Sequence, residues 1–340
     1  MEMLRIAVLG ASGYTGADLV RLALTHPRLR IAALSADRRA GEPMQAVWGH
    51  FAAHTLPNLV RAQDIDFGCI DVVFGCLPHG ASAALLAGIE GPRIIDLSAD
   101  FRLKDAATYA RWYGGPHPAP ALLDEAVYGL SEHARAALPG ARLIACPGCY
   151  PTAVLLALLP LAGMIDVGRV AIAALSGVSG AGRAPREANL FCEVAEAVHP
   201  YAVGHHRHMP EMEQELARAA GRPATVGFTP HLVPMNRGEL VTCTVEGAAV
   251  AELRAALQAA YRDAPFVHLL PEGVAPSTRM VRGSNHCVLN VFADRVPGRA
   301  LVIAAIDNLV KGSSGQAIQN LNLAMGWSET LGLEAAPLFP

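Results

Sequence analysis

The chain has 340 residues, 52% of them hydrophobic and 17% charged, with a formal net charge of −3; that balance excludes a disordered polar chain, a fibrous repeat and a basic nucleic-acid-binding tail. At roughly 150 residues per domain the length predicts about two domains, each able to bury a core without disulfide staples. The seven cysteines are odd in number and irregularly spaced, which predicts reduced thiols and a cytoplasmic protein.

Met1-Glu2-Met3-Leu4-Arg5 leads straight into an apolar segment, without the basic and hydrophobic regions of a signal peptide. Residues 5–10 read as a buried strand, followed by Gly10-Ala11-Ser12-Gly13-Tyr14-Thr15-Gly16 and a helix over 17–25. Small residues between strand and helix let backbone N–H groups approach a pyrophosphate, so Gly10, Ser12, Gly13, Tyr14, Thr15 and Gly16 are candidate dinucleotide-binding residues. The spacing is GxxGxxG rather than the commoner GxGxxG. A second strand over 29–35 ends at Ser35, where an NAD-binding chain usually places an acidic residue on the ribose. Arg38 and Arg39 follow; Ser35 and Arg38 therefore favour NADP, because a guanidinium can grip the extra phosphate bidentately. Asp37 stays open as an alternative ribose acid.

Residues 71–77 and 93–97 read as further buried strands, and strands alternating with helices predict an α/β domain with a Rossmann-type, doubly wound parallel sheet. The apolar run 153–164 fits a buried helix and falls short of the ~18–20 residues that would cross a bilayer. Just before it stands Cys146-Pro147-Gly148-Cys149-Tyr150-Pro151-Thr152. Pro151 suits the first turn of a helix, which puts Cys149 at the helix N-terminus, where the dipole favours thiolate over thiol. Cys149 is the candidate nucleophile; Cys69, Cys192, Cys243 and Cys287 read as small buried hydrophobes. Cys146 and Cys149 also form a CxxC, which leaves a redox pair as an alternative.

From about residue 167 the texture changes. Segments 170–175, 240–245 and 288–292, with a helix over 250–261, predict an α+β domain on a mostly antiparallel sheet. A cysteine nucleophile needs an acid/base partner, and the richest cluster is Gly204-His205-His206-Arg207-His208-Met209-Pro210-Glu211. No cysteine or acidic spacing there completes a zinc signature, so no metal is predicted. A last helix over 314–325 carries apolar residues at helical spacing and suits packing against the first domain.

The ordered set of motifs resembles the N-acetyl-γ-glutamyl-phosphate reductase family, relatives of aspartate-semialdehyde dehydrogenase. It comprises the turn 10–16, Leu77-Pro78-His79-Gly80, Asp96-Leu97-Ser98-Ala99-Asp100-Phe101-Arg102, Pro147-Gly148-Cys149-Tyr150-Pro151-Thr152, Ser176-Gly177-Val178-Ser179-Gly180-Ala181-Gly182-Arg183, His206-Arg207-His208 with Pro210-Glu211, and Asp307-Asn308-Leu309-Val310-Lys311-Gly312. The resemblance spans essentially the whole chain. It implies NADPH-dependent reduction of an acyl phosphate, N-acetyl-γ-glutamyl phosphate, to the semialdehyde and inorganic phosphate in arginine biosynthesis. Carried over with it are Cys149 as nucleophile and His208 as acid/base residue, Arg102 and Glu211 as substrate-binding residues, and Ser179, Gly180 and Asn308, with Gln316, as cofactor contacts. A salt bridge to Asp96 or Asp100 is the alternative for Arg102, and a solvent-facing position the alternative for Gln316. The implied organisation is an NADP-binding domain over 1–149, completed by 308–340, and a substrate and oligomerisation domain over 150–307 that makes the protein a homo-oligomer. Cys146, His205 and Met209 depart from the family pattern. Reduction of another acyl phosphate (aspartyl, or carrier-bound aminoadipyl or glutamyl phosphate) and a non-catalytic dinucleotide sensor are the alternative functions.

Overall fold

Leu4-Arg5-Ile6-Ala7-Val8-Leu9 contains no turn former, and from Ile6 onward every residue is buried, the signature of a strand covered on both faces. It is β1 (Leu4–Leu9) of a computed structural model that describes residues 3–338; Met1 and Glu2 of the signal-peptide reading and the last two residues of the C-terminal segment lie outside the described residues. With β2 (Leu29–Ser35), β3 (Leu59–Val60), β4 (Val72–Gly75), β5 (Arg93–Asp96), β6 (Val127–Tyr128) and β7 (Leu143–Ala145) it forms a seven-stranded sheet in the order β3-β2-β1-β4-β5-β7-β6. Every pairing in it is parallel. This is the doubly wound sheet expected, and its strand order reverses beside β1, where such sheets bind ligands at the strands' carboxyl ends. Strands β3, β6 and β7 were not expected. They are two or three residues long, too short to give a readable period.

The second sheet contains β8 (Val170–Gly177), β9 (His199–Pro200), β10 (Val226–Val233), β11 (Glu239–Glu246), β12 (Val267–Leu269), β13 (Cys287–Ala293) and β14 (Arg299–Ile306), in the order β12-β13-β14-β11-β8-β10-β9. It is mixed: β8 with β10 and β12 with β13 pair parallel, the other four pairings antiparallel. Strands β8, β10 and β11 alternate buried with more exposed residues, as strands with one covered face do. The Cys149–Leu158 helix packs on β11 and β14, and all its residues from Tyr150 to Leu158 are buried, which accounts for its nearly unbroken apolar sequence.

The chain divides into two compact units, residues 1–147 with 313–334 and residues 148–312 with 335–340. The division lies two residues before the expected one, so Gly148 and Cys149 belong to the second unit, and 308–312 and the residues from 335 on group with that unit rather than the first. Within the first unit the Gly315–Ala324 helix packs on the Tyr14–Thr25 helix, and the Ser314 hydroxyl donates to the buried Asp18 carboxylate at 2.6 Å.

Candidate active site

The first unit carries the nucleotide turn. Gly10 takes φ +84°, and a Cβ there would lie 2.4 Å from the Cys76 carbonyl oxygen; only glycine fits. Gly16 is equally constrained, its would-be Cβ 2.4 Å from the Gly10 oxygen. Gly13 differs: a Cβ there meets only the Gly10 oxygen, at 3.5 Å. Gly13 precedes the Tyr14–Thr25 helix, whose start has neither a side-chain cap nor an acidic first turn. The first amides of an uncapped helix favour an anion, so the turn fits a dinucleotide pyrophosphate. Ser12, Gly13, Tyr14 and Thr15 are half-buried around it.

Ser35 is buried, and its hydroxyl and carbonyl oxygens both accept from the Gly10 amide, at 3.3 and 3.1 Å. Its side chain therefore braces the turn. Arg39 pairs with Glu42 at 3.1 Å, whereas Arg38 is exposed and makes no ion pair or side-chain hydrogen bond among the described residues. Of the two arginines, Arg38 is the one whose guanidinium is available.

Arg102 is buried in the first unit; its Nε donates to the Cys146 carbonyl at 2.8 Å and an Nη to the Leu97 carbonyl at 2.9 Å. Asp100 accepts from the Gly80 and Ala83 amides and the Tyr109 hydroxyl. Asp96 accepts from the Ser82 and Ser98 hydroxyls at 2.7 and 2.6 Å, and burial raises its carboxyl to about 6 against the serines' opposing pull. The Cys146 thiol is pushed up by burial to about 12, which ill suits it to a redox pair. None of the seven cysteines is in a disulfide; Cys243 and Cys287 are buried as expected, whereas Cys69 and Cys192 are exposed. Gln316 is wholly buried and so does not face solvent.

In the second unit Cys149 is the first residue of the Cys149–Leu158 helix and is half-buried. The preceding Gly148 is extended and no side chain caps the helix. Glu211, itself buried, accepts the Gly148 amide at 2.9 Å, so the residue expected to bind substrate fixes the backbone leading into Cys149. Gly312 passes directly beside it; a Cβ there would lie 2.7 Å from the Cys149 Cβ. That position is set by Asp307, whose carboxylate accepts from the Leu309 and Val310 amides at 2.9 and 3.0 Å and whose carbonyl accepts from the Gly312 amide at 3.0 Å. Sequence reasoning missed Gly312 as a close neighbour of Cys149. The Asp-Asn-Leu-Val-Lys-Gly motif signalled a shaped turn, but not what it turns around.

His208 immediately precedes the Met209–Ala220 helix. Its amide donates to Nδ1 of His206 at 3.1 Å, and its ring lies edge-on to those of His206 and Tyr150, with centroids 4.8 and 5.9 Å away. Tyr150 therefore links the histidine cluster to the first turn of the Cys149–Leu158 helix. Burial, with the Arg207 charge adding to it, lowers the His206 imidazole to about 4. His206 is then neutral at pH 7 and its Nδ1 accepts a proton donor, which suits an orienting role for the residue. Among the described residues no group of three or more His, Cys, Asp or Glu side chains is placed to hold a metal ion.

Ser179, Gly180 and Asn308 come together. The Asn308 side-chain amide donates to the Ser179 hydroxyl at 3.0 Å and accepts from the Gly238 amide at 2.8 Å. A Cβ on Gly180 would lie 3.0 Å from the Ser176 hydroxyl oxygen and 3.6 Å from the Asn308 nitrogen. The expected cofactor contacts of this unit thus form one cluster, although 128 residues separate Gly180 from Asn308 (308 minus 180).

Comparison with known proteins gives this geometry a family. Residues 5–141 match the semialdehyde dehydrogenase NAD binding domain, and residues 149–308 the semialdehyde dehydrogenase dimerisation domain. The chain is 53% identical to the N-acetyl-gamma-glutamyl-phosphate reductase of Rhodospirillum rubrum, covering 100% of this chain and 99% of that protein. It is 52% identical to a probable chloroplastic N-acetyl-gamma-glutamyl-phosphate reductase of Oryza sativa, covering 100% of this chain and 83% of that one. Among solved structures, aspartate semialdehyde dehydrogenase II of Vibrio cholerae, complexed with ASA, superposes with a TM-score of 0.73 over 96% of this chain and 99% of its own, at 17% identity. The aspartate semialdehyde dehydrogenase of Candida albicans with NADP gives 0.66 over 95% and 99%, at 18% identity. These structural likenesses concern the fold. The chain belongs to the N-acetyl-gamma-glutamyl-phosphate reductase family, oxidoreductases built on the semialdehyde dehydrogenase domains.

Proposed function

We propose that this member of the family reduces N-acetyl-γ-glutamyl phosphate to N-acetylglutamate γ-semialdehyde and inorganic phosphate, with NADPH as reductant, as a step of arginine biosynthesis. The observation that carries the reading is Cys149 at an uncapped helix start, its preceding amide held by Glu211 and the His208 ring against neighbouring Tyr150. The chain is moreover about half identical to relatives named for this reaction.

The Cys149 thiolate attacks the acyl-phosphate carbonyl; a carbon–sulfur bond forms, the bond to the phosphate oxygen breaks, and an acyl thioester remains on Cys149. Arg102, whose guanidinium is oriented by two carbonyls, offsets the charge of the departing phosphate. The hydride that reduces the acyl group is the chemistry a nicotinamide dinucleotide would supply when bound. The turn 10–16 would hold its pyrophosphate, Arg38 the additional phosphate of NADP, and the Ser179, Gly180 and Asn308 cluster its nicotinamide side. His208 donates a proton to the oxygen of the tetrahedral hemithioacetal and takes it back as the aldehyde forms and the thiolate leaves. Free thiols throughout suit a cytoplasmic enzyme, and the family's dimerisation domain over 149–308 suits a homo-oligomer.

The test runs the reaction in reverse, as phosphate-dependent reduction of NADP with the acetylated semialdehyde, with aspartate semialdehyde and NAD in parallel. Turnover confined to the acetylated aldehyde and faster with NADP is the expected result. Faster turnover of another aldehyde would move the chain to a different acyl phosphate, and nucleotide binding without any turnover would defeat the reductase reading.

A further inference from the structure

The wall beside Cys149 contains a carboxyl group that the steps above leave without a task. Glu239 is the first residue of β11, paired with Ser176 of β8 on one side and Ile306 of β14 on the other. It has no exposed surface, and neither carboxyl oxygen makes a hydrogen bond of good geometry. A carboxyl sealed in a sheet without a well-formed hydrogen bond is costly, so its place needs a reason. The Cys149–Leu158 helix packs on β11, Ile306 lies against the passing Gly312 that also touches Cys149, and the Cys149 thiol is the side chain in position to donate toward Glu239.

We propose that Glu239 is a positioning residue for the nucleophile, receiving the Cys149 thiol proton and, as a carboxylic acid, hydrogen-bonding the resulting thiolate; this rests on Cys149 being the nucleophile. In the step the S–H bond breaks with its electron pair left on sulfur, and an O–H bond forms on Glu239. No redox change occurs, and the pair carries one negative charge before and after. The surroundings favour that charge on sulfur rather than on the carboxylate. Burial raises the Glu239 carboxyl to about 8, the Asp307 charge raising it too while the Cys149 hydrogen bond pulls the other way. The sulfur instead sits at the positive end of a helix. The other titratable groups facing the pair are Tyr150 and Tyr201, both pushed up chiefly by burial and so neutral here, and Asp307, which Arg237 meets at 3.5 Å. An internal acceptor would leave His208 free for the substrate oxygen.

The experiment follows the rate of Cys149 alkylation by iodoacetamide against pH in the full-length protein without ligands, with the modified cysteine identified by peptide mapping. Wild-type protein should show two steps, the first as the pair loses one proton and the second, near pH 8, as Glu239 ionises. Glu239→Met, which removes donor and acceptor, should raise the first midpoint by about one unit and slow alkylation at pH 7 about tenfold. Glu239→Gln keeps a donor but cannot take the proton; it should restore the first midpoint and abolish the second step. An unchanged or faster reaction in Glu239→Met would overturn the proposal, since a fixed carboxylate would suppress the thiolate rather than assist it. Should neither variant fold, a single-step wild-type profile overturns it just as well. Whether alkylation of Cys149 stops turnover is read separately: retained turnover would defeat the nucleophile reading itself.

Discussion

The Tyr14–Thr25 and Cys149–Leu158 helices start alike: each follows an extended glycine, Gly13 (φ −82°, ψ 167°) or Gly148 (φ −66°, ψ 162°), with no side-chain cap and no acidic residue in the first turn. Each therefore leaves the positive end of its dipole uncompensated by its own sequence. What occupies that end differs. At Gly13 a side-chain atom would meet only one backbone oxygen, at 3.5 Å, and the space stays open to an anion from outside. At Cys149 the chain supplies the ionisable atom itself, and Glu211, Gly312 and Glu239 close around it. One local device can thus serve as an anion receptor or as the seat of a nucleophile, according to what distant segments bring to it.

The sharpest break of this comparison is at the second helix. Cys149→Ala should lower turnover by about 10⁴-fold or more, as loss of a covalent nucleophile does. Nucleotide affinity, measured by fluorescence titration, should stay within about twofold, since the substitution leaves the turn 10–16 intact. If turnover fell less than tenfold, the helix start at 149 would be a structural feature and the contrast with Gly13 would disappear. The first helix yields a smaller effect. Arg38→Ser should raise the KM for NADP by about 10- to 100-fold, the worth of a charge-assisted phosphate contact, and leave the KM for NAD unchanged. Equal effects on both dinucleotides would remove Arg38 from the 2′-phosphate and assign the preference elsewhere.

The same contrast explains what could be read before the fold was known. The turn 10–16 is local: strand, glycines and helix follow one another, and the steric demands on Gly10 and Gly16 arise from backbone within the same unit. The place of Cys149 at a helix start was equally legible, because Pro151 and the apolar run after it announce a helix. Its enclosure was not. Glu211, expected as a substrate contact, also holds the Gly148 amide, and nothing at residue 211 signals a partner 63 positions away. Gly312 and Glu239 come near Cys149 because β14 and β11 run side by side beneath its helix, a register that periodicity within either strand does not encode. Ser35, a candidate cofactor contact from its place at a strand end, also accepts the Gly10 amide with its hydroxyl, a bond that only the loop's path reveals.

The smallest effect sharpens the comparison through stability. Two buried carboxyls, one in each unit, carry raised values: Asp96, from an ordinary 3.8 to about 6, and Glu239, from 4.5 to about 8. In each case the unfolded chain releases the proton first, so over that window the folded state binds more protons and stability falls as pH rises. The windows differ, and a pH series of thermal unfolding can separate them. Glu239→Gln should match wild type at pH 4.5 and gain on it progressively up to about pH 8, ending higher in Tm by several degrees, at ~2–4 °C per kcal/mol. Asp96→Asn should diverge only between pH 3.8 and about 6, and part of its gain is offset because Asp96 accepts from two serines that an amide satisfies less well. Wild type loses stability at the acid side for the opposite reason: His206, lowered from 6.5 to about 4, must take a proton in its apolar site as pH falls through that range. If the Glu239→Gln difference were instead flat from pH 4.5 to 9, the carboxyl would be ionised in the folded state throughout. The wall at Cys149 would then hold a fixed charge, and only the helix start at Gly13 would keep a positive end free of an opposing one.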